Sequence, residues 1–194
     1  MVVYVYLNRN NNLAMENQMA QDNANLEVIF QTFPKSMATP PAVRQVVDVF
    51  KAKHFLIDSK THELNSNAVL AEVREPLESV GFQIEKGKSS SEKIKVPVLY
   101  GLNGSTSKTF DADGFHSDLG IVLEVEAGRA VVNYQFLKDL FQACAMQEAK
   151  HLVIAVRNVY KGNKDFSTVL GFMETLYSSS RLVLPLASVT IIGY

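Results

Sequence analysis

The chain reads as an α/β domain layered around a central mixed β-sheet flanked by helices, and three observations carry that reading. HLVIAVRNVY (151–160) is a continuous apolar run of the kind that forms a strand buried on both faces. An amphipathic segment, GRAVVNYQFLKDLFQACAMQEA (128–149), precedes it and a second helical segment, DFSTVLGFMETLYSS (165–179), follows it, so helix and strand alternate. Upstream, DADGFHSDLGIVLEVE (111–126) shows the alternation and central turn of an antiparallel hairpin, which makes the sheet mixed.

With 194 residues, 47% of them hydrophobic and 20% charged, the chain has room for one well-packed domain and not for a second full one. Residues 1–40 are expected to form a flexible or loosely structured lead, Asn/Gln-rich over 8–25 and closed by the Pro-punctuated connector FPKSMATPPAV. The opening MVVYVYLNRNNN has about six apolar residues, no preceding charge and no small-residue cleavage site, so it reads as a short strand or a poorly ordered start, not a signal peptide. Residues 41–194 are expected to form the domain.

In order along that domain, a helix is predicted from Pro41 to about Lys53, where Val43, Val46, Val47 and Phe50 recur at helical spacing. A second begins near Ser66 or Asn67, either a good N-cap, and runs to Gly81 with a kink or break at Pro76. FQIEKG and IKVPVLYG read as strands around the polar loop KSSSEK, and NGSTS is a turn before KTFDADGF. Val131, Tyr134, Leu137, Leu140, Phe141 and Cys144 form the apolar stripe of the next helix. The buried strand, the helix over 165–179 and a final strand, SVTIIGY, complete the domain.

A net charge of −1 and a pI near 6.4 exclude a bulk polycation, so any nucleic-acid contact must come from a local basic strip. The single cysteine, Cys144, cannot form an internal disulfide and reads as a core thiol in a reducing, cytoplasmic compartment. No apolar run approaches the ~18 residues that a membrane-spanning helix needs.

The acidic hairpin carries the chemistry. Ser117-Asp118-Leu119-Gly120 has type I turn preferences, which centres the hairpin so that facing residue numbers sum to 237. Asp113 then lies opposite Glu124 and Asp111 opposite Glu126, with all four carboxylates on one face and Ile121, Leu123 and Val125 on the other. Opposed like charges are unfavourable across a ladder and should raise the carboxylate pKa values, so the pattern calls for a cation. Oxygen-only donors suit Mg²⁺ or Mn²⁺ and no small-molecule cofactor. A solvated strand face is the alternative, but such a face ordinarily mixes signs, and this one is purely acidic. Asp118 is a turn former that points away from the ladder. His116 reads as a solvated loop histidine, and Tyr134, Phe136 and Phe141 as core rather than stacking residues.

An Asp on one strand, a turn, Glu-x-Glu on the next strand and an amphipathic helix resemble the core motif of the PD-(D/E)xK nuclease superfamily. The resemblance covers about residues 66–157, and DGFHSDLGIVLEVE is most similar to the BamHI/BglII group of type II restriction endonucleases. It implies a restriction-endonuclease-like three-layer fold and Mg²⁺-dependent hydrolysis of phosphodiester bonds in double-stranded DNA by a homodimer. By position it implies Asp113, Glu124 and the Val125 carbonyl as metal ligands, Glu126 at the motif Lys position, and Glu72 as an extra acid, with Glu75 the alternative. Ala112 replaces the motif proline. Glu126 in place of Lys removes a cation that would polarise the attacking water, leaving a general-base carboxylate, a second metal, or a scaffold that no longer cleaves. Arg129, at an expected helix start, with Lys138, Lys108 and Arg157, are the expected phosphate contacts. The rival readings are a non-catalytic nucleic-acid-binding or assembly protein on the same fold, and an RNA or single-strand nuclease using the same acids.

Overall fold

The computed structural model describes residues 28–87 and 89–194. The expected lead over 8–25 and the opening MVVYVYLNRNNN lie outside the described residues. The described chain is α/β, with a mixed six-stranded sheet, helices on both faces, and a separate two-stranded ribbon.

Its elements are β1 (Ile29–Phe33), α1 (Pro41–Ile57), α2 (Ser66–Ser79), β2 (Gln83–Ile84), β3 (Ile94–Tyr100), β4 (Thr106–Ala112), β5 (Gly114–His116), β6 (Ile121–Glu126), α3 (Gln135–Ala145), β7 (His151–Val156), α4 (Asp165–Ser179) and β8 (Ser188–Gly193). The large sheet has the order β1-β8-β7-β6-β5-β2. Its centre, β6-β7-β8, is parallel, while β1, β5 and β2 pair antiparallel at the flanks. β1 falls within the span expected to be a loose N-terminal lead; its five residues are instead paired along β8 at the sheet edge. No helix is long and apolar enough to cross a membrane among the described residues.

Period-two alternation assigns the two faces. Ile121, Leu123 and Val125 of β6 and Val153 and Ala155 of β7 point to a core shared with α1 and α2. Val122, Leu152, Ile154 and Val156 point to the opposite core, shared with α3 and α4. Each of these side chains is almost wholly removed from water, which is worth about 1.5–3 kcal/mol per large aliphatic residue. By the same alternation, Glu124 and Glu126 share the face of Val122 and so point toward the α3 side.

The helices follow their patterns with three differences. α1 buries Val43, Val46, Val47 and Phe50 as expected and continues one turn further to bury His54 and Ile57. The N-cap of α2 is Asn65, whose side chain accepts from the Ala68 N–H at 3.0 Å, and the helix runs through Pro76 before ending at Ser79. α3 starts later than expected, because Asn133 and Tyr134 take left-handed backbone angles (φ +63° and +53°) and a short 3-10 turn over Val132–Tyr134 precedes it. Its buried face is consequently Phe136, Asp139, Leu140 and Ala143, while Tyr134 and Phe141 are 65% and 69% exposed.

The expected hairpin register holds over β5 and β6: Gly114 faces Leu123, Phe115 faces Val122 and His116 faces Ile121. Gly120 closes the turn at φ +63°, and its carbonyl accepts from the N–H groups of Lys150 and His151, seating the turn at the start of β7. A Cβ at this position would lie 2.3 Å from the Glu148 carbonyl oxygen. Gly120→Ala should therefore destabilise the protein by at least about 1–2 kcal/mol, the ordinary cost of a left-handed residue with a side chain. Urea unfolding of the variant checks this; an unchanged midpoint would mean the turn is placed differently.

Candidate acidic cleft

The chain changes sheets at Asp113. Ala112, the last residue of β4, pairs with Ile94 in the ribbon, whereas Gly114 begins β5 in the large sheet. At the junction the Asp113 carbonyl accepts from the Glu85 N–H at 2.8 Å, and its carboxylate accepts from the Val125 N–H at 2.8 Å. The side chain thus takes the place of a main-chain acceptor, so β5 can leave β6 while the end of β6 keeps its hydrogen bond.

Where the strands part, a cavity of about 660 Å³ opens. Asp113, Glu124, Val125 and Glu126 form its floor, Asp139 of α3 one side, and the ribbon root the other. Ser66, at the start of α2, also lines it, and its hydroxyl accepts from the Ala127 N–H at 3.1 Å, fixing the chain just past β6.

The electrostatics are set by burial. Glu124 is only 7% exposed and its Oε1 has no hydrogen-bond partner. Desolvation, then the neighbouring carboxylates Asp113, Asp139 and Glu126, hold its pKa well above the ordinary range. Asp113 is raised to about 6, first by burial; the Val125 hydrogen bond pulls the other way and the charges on Glu85 and Glu126 add to the rise. Asp139 is raised to about 8 by burial and by the charge of Glu126, and its carboxyl is hydrogen-bonded to that of Glu126. Two buried carboxyls this close do not both ionise readily, so the pair shares a proton. Asp139 Oδ2, like Glu124 Oε1, is buried without a partner.

Asp139 and Glu85 are the acids the sequence reading missed. The buried spacing Phe136, Asp139, Leu140, Ala143 places an acid in a core-facing register, the one signal that could have found Asp139. Glu85 is 4% exposed and pairs with Lys93, Nζ to Oε2 2.7 Å.

Other expected residues fall differently. Asp111 does not face Glu126: it belongs to the ribbon, opposite Lys95, with which it forms a half-exposed ion pair at 3.6 Å. Neither Glu72 nor Glu75 lines the cavity; Ser66 is the part of α2 that does, and six residues of helix displace Glu72 about 9 Å along the axis. Arg157 is buried, donates to the Leu64 carbonyl and stacks over Tyr160 at 5.0 Å, so it is not a surface phosphate contact. Arg129 lies in the loop before α3 rather than at a helix start, beside Glu126 in a neighbouring hollow that Ser66 and Asn67 share. Lys108 and Lys138 do line the acidic cavity. His116 is packed edge-on against Phe82, with ring centroids 5.3 Å apart, rather than solvated. Cys144 is half-buried in an apolar groove between α3 and α4, not in the core.

Comparison with protein-family models, characterised proteins and solved structures finds no match to this chain. The chemistry of the cleft therefore rests on its own residues. Among the described residues, no three His, Cys, Asp or Glu side chains are grouped so as to hold a metal ion. The donors that face the cavity are nonetheless all oxygens, two of them buried and unsatisfied, which is the donor chemistry of a hard divalent cation.

The raised pKa values fix a sign for the pH dependence of stability. The folded state holds its protons more tightly than the unfolded chain, whose aspartates titrate near 3.8. Stability contributed below that value is lost as pH rises through about 6 for Asp113 and about 8 for Asp139. In EDTA the melting temperature should fall from pH 5 to pH 8.5, and Asp139→Asn should flatten that fall and melt higher than wild type at pH 8.5. Parallel melting profiles for the two proteins would show that Asp139 is not buried against Glu126.

Proposed function

We propose that the chain is a Mg²⁺-dependent DNA endonuclease with a restriction-endonuclease-like fold, acting as a homodimer of the type II restriction class. The observation that carries the reading is Glu124: a buried carboxylate with an unpartnered oxygen, crowded by Asp113, Glu126 and Asp139 in a cavity rimmed by lysines. Such crowding is unfavourable unless a proton or a cation occupies it. The resemblance of DGFHSDLGIVLEVE to the superfamily motif and the mixed sheet that holds it support the same reading.

On this reading Asp113, Glu124 and the Val125 carbonyl hold the metal, with Mn²⁺ able to replace Mg²⁺. Mg²⁺ held there supplies neutralisation of charge on a scissile phosphate and acidification of a water. The chain's own residues do the rest. Glu126, freed of the proton it shares with Asp139, orients the attacking water or takes its proton. Lys138 and Lys108 sit at the rim where phosphate oxygens would lie. Arg129 is placed for the same task from the adjoining hollow. A homodimer places one cleft on each strand of the duplex. The lone half-buried thiol fits a reducing, cytoplasmic setting.

A second reading, a non-catalytic nucleic-acid-binding protein on the same scaffold, is favoured by one feature. The Glu126–Asp139 proton bridge satisfies part of the cluster without metal, and no lysine stands at position 126.

Nicking of supercoiled plasmid separates them. Wild type should nick with millimolar Mg²⁺ and not with EDTA, Asp113→Ala and Glu124→Gln should lose activity by at least about a hundredfold, and Asp118→Ala should keep it. Glu126→Lys retains cleavage if Glu126 only positions water and loses it if Glu126 holds a second metal. A metal-independent result, or full activity in Asp113→Ala, rejects the nuclease. In parallel, divalent cation should raise the melting temperature of wild type and not of Glu124→Gln. Equal curves with and without metal would leave the proton bridge, not a cation, as the occupant of the cleft.

A further inference from the structure

The β3–β4 ribbon does two things that the acidic floor does not explain. Its root is anchored: Val96, Val98 and Ala112 are buried in the core shared with α3 and α4. Its outer half is bare, with every residue from Leu99 to Lys108 exposed. Leu102 is 90% exposed, and Leu99 and Tyr100 are more than half exposed, so the tip carries an apolar cluster in water. A two-stranded ribbon is marginal by itself, and exposed apolar tips are normally trimmed or covered.

The ribbon's one acid, Asp111, lies at its base and pairs with Lys95 at 3.6 Å, while Lys108 lines the cavity without an acid opposite it. Lys93, just before β3, adds a third ammonium to the same wall. From Ile94 to Ala112 the ribbon thus carries two lysines and one aspartate, and with Lys95 paired to Asp111 and Lys93 to Glu85, Lys108 is the ribbon cation left to face a ligand beside the acidic floor.

We infer that this ribbon is an arm that grips double-stranded B-form DNA, Lys108 contacting a phosphate beside the cleft and its exposed apolar tip entering a groove. The inference rests on the nucleic-acid reading of the cleft and adds the element that would grip the duplex. Dimensions favour a duplex. Five residue steps from Lys95 to Tyr100 carry the tip about 16 Å from the root. The major groove of B-DNA is roughly 12 Å wide and admits a two-stranded ribbon. The major groove of duplex RNA is too narrow for side chains to read, and a single strand has no groove for an arm to enter.

The test is binding of the full chain, in EDTA so that nothing is hydrolysed, to duplex DNA, its single strand and duplex RNA of one sequence. Wild type should prefer duplex DNA. Tyr100→Ser with Leu102→Ser, both exposed and so compatible with folding, should weaken duplex DNA binding at least about tenfold and leave the single strand unchanged. Lys108→Ala should lower the slope of log K against log salt by about 0.9, the contribution of one phosphate that a lysine no longer neutralises. Equal binding of single strand or duplex RNA, a tip variant that binds like wild type, an unmoved salt slope, or no duplex binding at about 50 mM salt would each overturn the inference. A chain that grips duplex through the ribbon but never nicks plasmid keeps this inference and rejects the nuclease. One that nicks while the tip variant binds normally does the opposite.

Discussion

The hydrogen bond from the Val125 N–H to the Asp113 carboxylate is the constraint on which the cleft depends. Backbone donors inside a sheet must find acceptors, and the acceptor is ordinarily the next strand. Here a side chain serves instead, at a charge-assisted strength of about 1.5–3 kcal/mol. That substitution lets the chain leave one sheet for another within a residue of Asp113. The strands diverge, the end of β6 loses its neighbour on that side, and the gap becomes the cavity. The same carboxylate is thereby fixed beside Glu124, so one bond sets both where the strands part and where the acid sits.

What fills the gap is unfavourable by itself. Burial raises Glu124, Asp113, Glu126 and Asp139 together, and neighbouring carboxylates raise Asp113, Glu124 and Asp139 further. A structure with only stability at stake would place hydrophobic residues here, as the rest of the sheet does. Without a cation, a proton shared between Asp139 and Glu126 relieves part of that crowding. A proton and a cation compete for such a site, so any divalent ion that enters must release the proton, and its affinity must rise with pH.

The parts of this arrangement that are legible in the sequence are those set by local chemistry. The turn residues Ser117–Gly120 fix the register of β5 against β6, and period-two alternation puts Glu124 on the face opposite Leu123. The errors come from tertiary events that no local pattern encodes. Extending the ladder to Asp111 carries it past a point where the chain changes sheets. An α3 stripe phased on Tyr134 and Phe141 relies on large apolar residues that the left-handed pair Asn133–Tyr134 rotates into solvent, and that error hides Asp139. Arg157 looks free in the sequence because its partners, Leu64 and Tyr160, come from loops whose meeting the sequence does not announce.

Charge counting shows why the lysines do not already neutralise the floor. Six carboxylates line the cavity (Glu85, Asp111, Asp113, Glu124, Glu126 and Asp139) against four ammonium groups (Lys93, Lys95, Lys108 and Lys138). Lys93 is committed to Glu85 and Lys95 to Asp111, both at the ribbon side, so these two acids are balanced where they stand. With all four ionised, an excess of two negative charges is left among Asp113, Glu124, Glu126 and Asp139, and the protons that burial favours on Glu124 and on the Asp139–Glu126 pair reduce it. One divalent cation displacing those protons would bring the lining to neutrality. Two would leave it doubly positive, an arrangement that only a bound phosphodiester could offset. On the proposed reading, then, the lining would balance one divalent cation by itself, and a second would need the added negative charge of a bound phosphodiester.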